Sequence, residues 1–270
     1  MVETLGAFRL TTAERDRLNQ DGYLVRESAF DPEEMSRVRR ECEQLMADVM
    51  AVQHGPKHEV GSFVFEVRPA WESIVKWEPG SPGVVQGIES FGHLYPRLHE
   101  FSYDPRFLEP ARDMMGEEDI SLFTEKLNLK RAREGGMFIL HQDFPYWQLG
   151  SPVAARIVTA MMLLDDATVE NGCLEVAPGS HREGVLKLRE VDGFGSHEMD
   201  EETFDLSRLR PVEAKAGSII FFGAFMAHRS RANHSDRDRR ALFYSYQPAG
   251  HPNARELLRA QMGLPEPQQA

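Results

Sequence analysis

Cysteine is nearly absent: Cys42 and Cys173 are the only two in a chain of 270 residues. That excludes a disulfide-dense secreted scaffold and points to a reducing compartment in which both thiols stay free. Long apolar runs are missing too, and no stretch approaches the roughly 18 residues that a membrane span needs. Residues Met1 to Leu10 are too few and too mixed for a signal peptide. Positive charge is in deficit, with 31 lysines and arginines against 43 aspartates and glutamates, a net charge of −12. Nucleic acid requires a basic footprint and an anionic membrane attracts one, so neither suits this chain as a partner. These absences predict a cytoplasmic protein with neither nucleic acid nor membrane as partner.

What is present is ordinary globular material, 41% hydrophobic and 27% charged, enough for one domain with a sizeable core. Thr11 and Glu14 form a capping-box pattern that starts a helix ending near Asp21-Gly22, and Tyr23-Leu24-Val25 reads as a short strand. A second helix has Asp31 as N-cap, Pro32 in its first turn, and Met35, Val38, Cys42, Leu45, Met46 and Val49 at helical spacing. His54 to Gly61 and Glu78 to Gly83 read as loops. Between Phe91 and Met115 the pattern predicts helical segments, interrupted at Asp104-Pro105 and around Pro110.

The second half changes character. Strand patterns cover Leu122 to Leu129, Arg156 to Leu164, Cys173 to Val176, Ile219 to Phe222 and Ala241 to Tyr246. Turn signals at Asn171-Gly172, Pro178-Gly179 and Ala216-Gly217 separate them, and a polar C-terminal tail follows. Helices first and strands later predict one mainly β domain. Its helical part covers about residues 1–120, and its jelly-roll core about 121–248.

The central signal is His141-Gln142-Asp143 after an apolar approach. In a strand, His141 and Asp143 project from one face. A third ligand from a later strand would complete a two-histidine, one-carboxylate set, which leaves positions open on iron(II). The spacing is weak alone. His234-Ser235-Asp236 repeats it and His181-Arg182-Glu183 is a variant, but both lie in polar or turn sequence. His228, behind the apolar strand Ile219 to Phe222, is the candidate third ligand. Arg239 follows eleven residues later at the head of another strand. A buried arginine is costly unless a carboxylate meets it in two-point geometry, and a dicarboxylate cosubstrate supplies that group.

Several segments, in order, resemble the phytanoyl-CoA dioxygenase family of iron(II)/2-oxoglutarate oxygenases. They are His141-Gln142-Asp143, Asp166-Ala167-Thr168, Glu170-Asn171-Gly172-Cys173-Leu174, Pro178-Gly179-Ser180-His181, Ala216-Gly217-Ser218, and His228, Ser230, Asn233, Ser235 and Arg239. The likeness is tight over Lys126 to Tyr246. It implies a double-stranded β-helix (a cupin-like jelly roll) with iron on His141, Asp143 and His228. It also implies 2-oxoglutarate held at Arg239, with Lys126 and Asn128 on one face of a strand beside the cosubstrate, and O₂ as the oxidant. Halogenating relatives lack the carboxylate that Asp143 supplies, so the likeness implies hydroxylation of an unactivated C–H bond, with succinate and CO₂ as co-products. Phe144, Tyr146 and Trp147 are candidates for the substrate pocket, and Phe63, Phe65 and Trp71 for a lid. Arg229 puts a charge at the rim. Two other readings stay open at this point: a cupin-type or zinc hydrolase on the same ligands, and a non-catalytic sensor on the same fold.

Overall fold

The computed structural model describes residues 6–191 and 194–264. Six helices are present among them: α1 (Thr12–Asp21), α2 (Pro32–Ala51), α3 (Pro96–Phe101), α4 (Pro105–Met115), α5 (Phe144–Trp147) and α6 (Ala254–Gln261). The first five strands are β1 (Tyr23–Arg26), β2 (His58–Val60), β3 (Phe63–Arg68), β4 (Ser73–Trp77) and β5 (Val85–Glu89). The next five are β6 (Ile120–Lys130), β7 (Phe138–His141), β8 (Val158–Leu163), β9 (Leu174–Val176) and β10 (Leu188–Val191). The last five are β11 (Phe194–Met199), β12 (Arg210–Val212), β13 (Ile219–Gly223), β14 (His228–Ser230) and β15 (Arg239–Pro248).

Two antiparallel sheets form a double-stranded β-helix sandwich. The larger runs β1-β13-β8-β15-β6-β5-β4-β3-β2 and the smaller β10-β11-β7-β14-β9-β12. Alternation along β15 divides the interior in two. Leu242, Tyr244 and Tyr246 join a cluster with Met35, Cys42, Leu45 and Val49 of α2 and Phe107 of α4, which cover the outer face of the large sheet. Ala241 faces the other way, into a cluster between the sheets with Met161, Ile220, Phe222, Leu174 and Val176. Strand β8 is buried at every position, which is why its sequence is apolar apart from Thr159, whose hydroxyl is met by Ser245 at 2.9 Å.

Both expected N-caps are complete capping boxes, at Thr11/Glu14 and at Asp31/Glu34. All six apolar positions read on the second helix are buried. At about 1.5–3 kcal/mol for each large side chain, that stripe rather than helix propensity fixes α2. Cys42 and Cys173 are free and buried in different clusters.

Three expectations are corrected. The N-terminal part is not purely helical, because β2 to β5 extend the large sheet through the pairing of β5 with β6. Part of the expected loop His54 to Gly61 is β2. Charged residues at buried positions of β3, Glu66 and Arg68, hide the alternation there. Pro110 does not interrupt α4; it is buried beside Phe107 and Ala111, and packing of that face outweighs one lost hydrogen bond. The C-terminal tail contains α6, capped by Asn253 with Glu256.

Candidate metal centre and cosubstrate site

His141 ends β7, and His228 opens β14 directly opposite it in register. Their ring centroids are 4.2 Å apart. Nδ1 of His141 lies 2.7 Å from the Ile139 carbonyl, and Nδ1 of His228 lies 2.9 Å from the Met226 carbonyl. A carbonyl only accepts, so each Nδ1 carries the proton and each Nε2 is left as the metal-facing nitrogen.

Asp143 does not reach the site by strand alternation. The strand has ended, and Asp143 is in right-handed helical conformation as the N-cap of α5. The turn is set by Gln142, which is fully buried. Its Nε2 donates to the carbonyls of Gly184 (2.9 Å) and Phe225 (2.7 Å), and its Oε1 accepts from Leu186 N–H (2.9 Å). With the intervening side chain so anchored, Asp143 Oδ1 comes to 3.9 Å from His141 Nε2. One ligand atom from each of His141, Asp143 and His228 lies within 4.8 Å of the others, the only such group of three among the described residues. The set of two imidazoles and a carboxylate fits a divalent iron. Burial, then the nearby His228, pushes the His141 imidazole down to about 3, so protons do not compete for its ring near neutral pH. Gln142→Leu is expected to fold and to weaken iron(II) binding about 10–100-fold, the scale for lost supports behind metal ligands. Metal content after equilibrium dialysis checks this; unchanged affinity would remove Gln142 from the account.

Across the sandwich, Arg239 and Lys130 are register partners at the ends of β15 and β6. Arg239 is 2% exposed and Lys130 is 0% exposed, so two basic groups sit side by side away from water. Arg239 Nη2 donates to the Gly172 carbonyl at 2.9 Å, while its Nε has no partner. Lys130 Nζ donates to the carbonyls of Gly136 and Arg231. Among the described residues, no carboxylate lies at ion-pair distance from either group. Burial pushes the Arg239 guanidinium down to about 10; burial, then Arg239 itself, pushes Lys130 down to about 6. A buried guanidinium with an orphaned N–H, beside an amine that burial keeps largely neutral until an anion arrives, is what a carboxylate ligand would satisfy. Lys130 was not among the expected site residues. It was findable, because Lys126, Asn128 and Lys130 alternate on one face of β6.

Asn128 stands between these ends, opposite Ala241 and Gly87. Lys126 pairs in register with Phe243, four residues along β6 from Lys130, about 13 Å at strand rise. Its Nζ lies 3.8 Å from Glu89 and 5.5 Å from the Trp147 ring centroid. The strand therefore separates Lys126 from the Arg239 end of the site.

Of the aromatic candidates, Tyr146 meets the His141 ring edge-on at 5.9 Å and also packs against Phe63 and His197. Phe144 stacks on Phe225, and Trp147 packs against Phe123. Trp71 packs into the core on the outer side of the sheet. Arg229 is paired with Glu175 at 2.6 Å. His234 is exposed, in keeping with its rejection as a ligand, while Asn233 and Ser235 tie the turn ahead of β15.

The family model for phytanoyl-CoA dioxygenase matches residues 18–241. Methylphosphonate hydroxylase of Gimesia maris is 28% identical over 252 residues, covering 92% of this chain and 84% of its own. Ectoine dioxygenase of Bordetella bronchiseptica is 27% identical over 260 residues, covering 91% and 76%. The crystal structure of EctD from S. alaskensis with 2-oxoglutarate and 5-hydroxyectoine superposes with a TM-score of 0.70 at 23% identity, over 92% of this chain and 80% of that one. The carbocyclase SnoK from nogalamycin biosynthesis gives 0.66 at 18% identity, over 97% and 94%. No helix among the described residues is long and apolar enough to cross a membrane.

Proposed function

Since this chain belongs to the phytanoyl-CoA dioxygenase family of iron- and 2-oxoglutarate-dependent dioxygenases, we propose that it hydroxylates an unactivated C–H bond of a small, polar molecule. One oxygen atom of O₂ goes to the substrate and the other to succinate, with loss of CO₂ from 2-oxoglutarate. Iron(II) on His141, Asp143 and His228 would supply the activation of O₂. The chain's own residues do the positioning. Arg239 and Lys130 hold the distal carboxylate of 2-oxoglutarate, and Asn128 flanks it nearer the metal. Tyr146 and Phe63 shield one side of the metal from water.

The observation that supports this reading most is a buried guanidinium, Arg239, beside the buried amine of Lys130, with no carboxylate at ion-pair distance from either among the described residues. A hydrolase on the same three ligands gives that pair no task. Asp143 occupies the position that halogenating relatives leave open, which favours hydroxylation. The relatives named for methylphosphonate and ectoine both support a small charged substrate. Purified protein given iron(II), ascorbate and 2-oxoglutarate is expected to release succinate with consumption of O₂, and chelation of iron to stop it. Absence of succinate with iron bound would defeat the reading.

A further inference from the structure

On the inner face of the large sheet, beyond Asn128, a second charged group has no place in holding iron or 2-oxoglutarate. Glu89 of β5 sits opposite Lys126 of β6 in register, with Lys76 of β4 beside it. Lys76 Nζ is 3.4 Å and Lys126 Nζ 3.8 Å from the Glu89 carboxylate, and the Thr124 hydroxyl donates to Glu89 Oε1 at 3.0 Å. Charge-assisted N–H···O bonds are normally about 2.7–2.9 Å, so both lysines hold Glu89 loosely and keep donors to spare. Burial alone would raise the Glu89 carboxyl, but Lys126, Lys76 and Thr124 overcome it and hold it ionised below its ordinary range. In this trio two lysine side chains therefore face one carboxylate, and burial lowers Lys76 while Glu89 opposes that shift.

Its surroundings are those of a substrate subsite. The side chains are 24% (Lys76) and 18% (Lys126) exposed, so a ligand can reach them. Lys76 Nζ lies 5.8 Å from the Phe63 ring centroid and Lys126 Nζ lies 5.5 Å from that of Trp147. Phe63 in turn packs on Tyr146, which packs on His141. Lys126 is close enough to act electrostatically on His141, as Asp143 does on Lys76. The cluster lies on the opposite side of Asn128 from Arg239, so an anion held there is not the distal carboxylate of 2-oxoglutarate.

We propose that Lys76 and Lys126, spaced by Glu89, bind an oxyanion on the substrate (a phosphonate or carboxylate) and so present a neighbouring C–H bond to the metal. This rests on the function proposed above. It assigns Lys126 to the substrate rather than the cosubstrate. Glu89 has a double part: it gathers the two ammonium groups and competes with the incoming anion.

The test is anaerobic calorimetry on the wild-type iron(II)–2-oxoglutarate complex. The probes are methylphosphonate, 2-aminoethylphosphonate, propionate and the uncharged dimethyl ester of methylphosphonate. At least one anion is expected to bind, and the neutral ester at least about tenfold more weakly, as loss of a charged hydrogen-bond partner implies. Lys76→Met and Lys126→Met should each weaken the anion tenfold or more, with 2-oxoglutarate affinity within twofold of wild type. Glu89→Gln should tighten the anion, a change that a misfolded protein cannot imitate. The better of phosphonate and carboxylate identifies the oxyanion. The proposal is overturned if the wild type binds no anion, if ester and anion bind alike, if Glu89→Gln weakens binding, or if Lys126→Met loses 2-oxoglutarate instead. A wild-type protein that binds no 2-oxoglutarate overturns the proposed function itself, a separate result.

Discussion

Arg239→Leu is expected to raise the KM for 2-oxoglutarate by about two orders of magnitude while leaving iron binding intact. The guanidinium is buried, its Nε is orphaned, and it lies on the sheet opposite the two histidines. Removing one partner of a buried, hydrogen-bonded charge pair costs about 2–5 kcal/mol, and each 1.4 kcal/mol is a factor of ten. Arg239→Lys should fall between the two, since an ammonium keeps the charge but not the planar fork. Stability moves in the opposite direction. Without 2-oxoglutarate, Arg239 is a buried charge with no carboxylate partner, and leucine removes its desolvation cost. The cosubstrate-free Arg239→Leu protein should therefore melt higher than wild type, and 2-oxoglutarate should stabilise the wild type but not the variant. Thermal unfolding with and without cosubstrate checks both statements. A variant that melts lower and binds 2-oxoglutarate normally would show that Arg239 serves only the fold.

Asp143→Ala should abolish turnover and lower iron(II) affinity by more than about 100-fold, beyond the 10–100-fold typical of supports behind ligands. It leaves two histidines that meet across β7 and β14, too few to hold iron against dialysis in chloride-free buffer, where no halide can take the vacant position. Fold stability should barely change, because Asp143 caps α5 without a side-chain hydrogen bond. Metal content, measured alongside the melting temperature, separates loss of the site from loss of the structure. An Asp143→Ala protein that retains stoichiometric iron would mean that the metal sits elsewhere.

The sequence made the catalytic half of the molecule legible and the substrate half much less so. The jelly-roll strands carry apolar residues toward two cores, and their turns are marked by Asn171-Gly172 and Ala216-Gly217. His141, Asp143, His228 and Arg239 could be read because each follows or opens an apolar strand. The route to Asp143 could not. Strand alternation predicts it on the face of His141, whereas the chain turns into α5 and Gln142 provides the anchor. Strands β2 to β5 were obscured for a related reason. Strand β3 carries Glu66 and Arg68 at its buried positions, so the alternation that identifies a half-buried strand is broken there. Alternation along β6 puts Lys130 on the face of Lys126 and Asn128, but that it is buried beside Arg239 follows only from the register of β6 on β15.

The central claim is that one iron and one 2-oxoglutarate meet between the two sheets, and an anaerobic spectroscopic titration tests it most directly. Adding one equivalent of iron(II) and then 2-oxoglutarate to the wild-type protein should produce the visible charge-transfer absorption of the chelate, saturating at one cosubstrate per chain. The band should be absent in Asp143→Ala, and it should require far higher 2-oxoglutarate in Arg239→Leu. A wild-type protein that binds iron at His141, Asp143 and His228 yet gives no such absorption at any 2-oxoglutarate concentration would contradict the account.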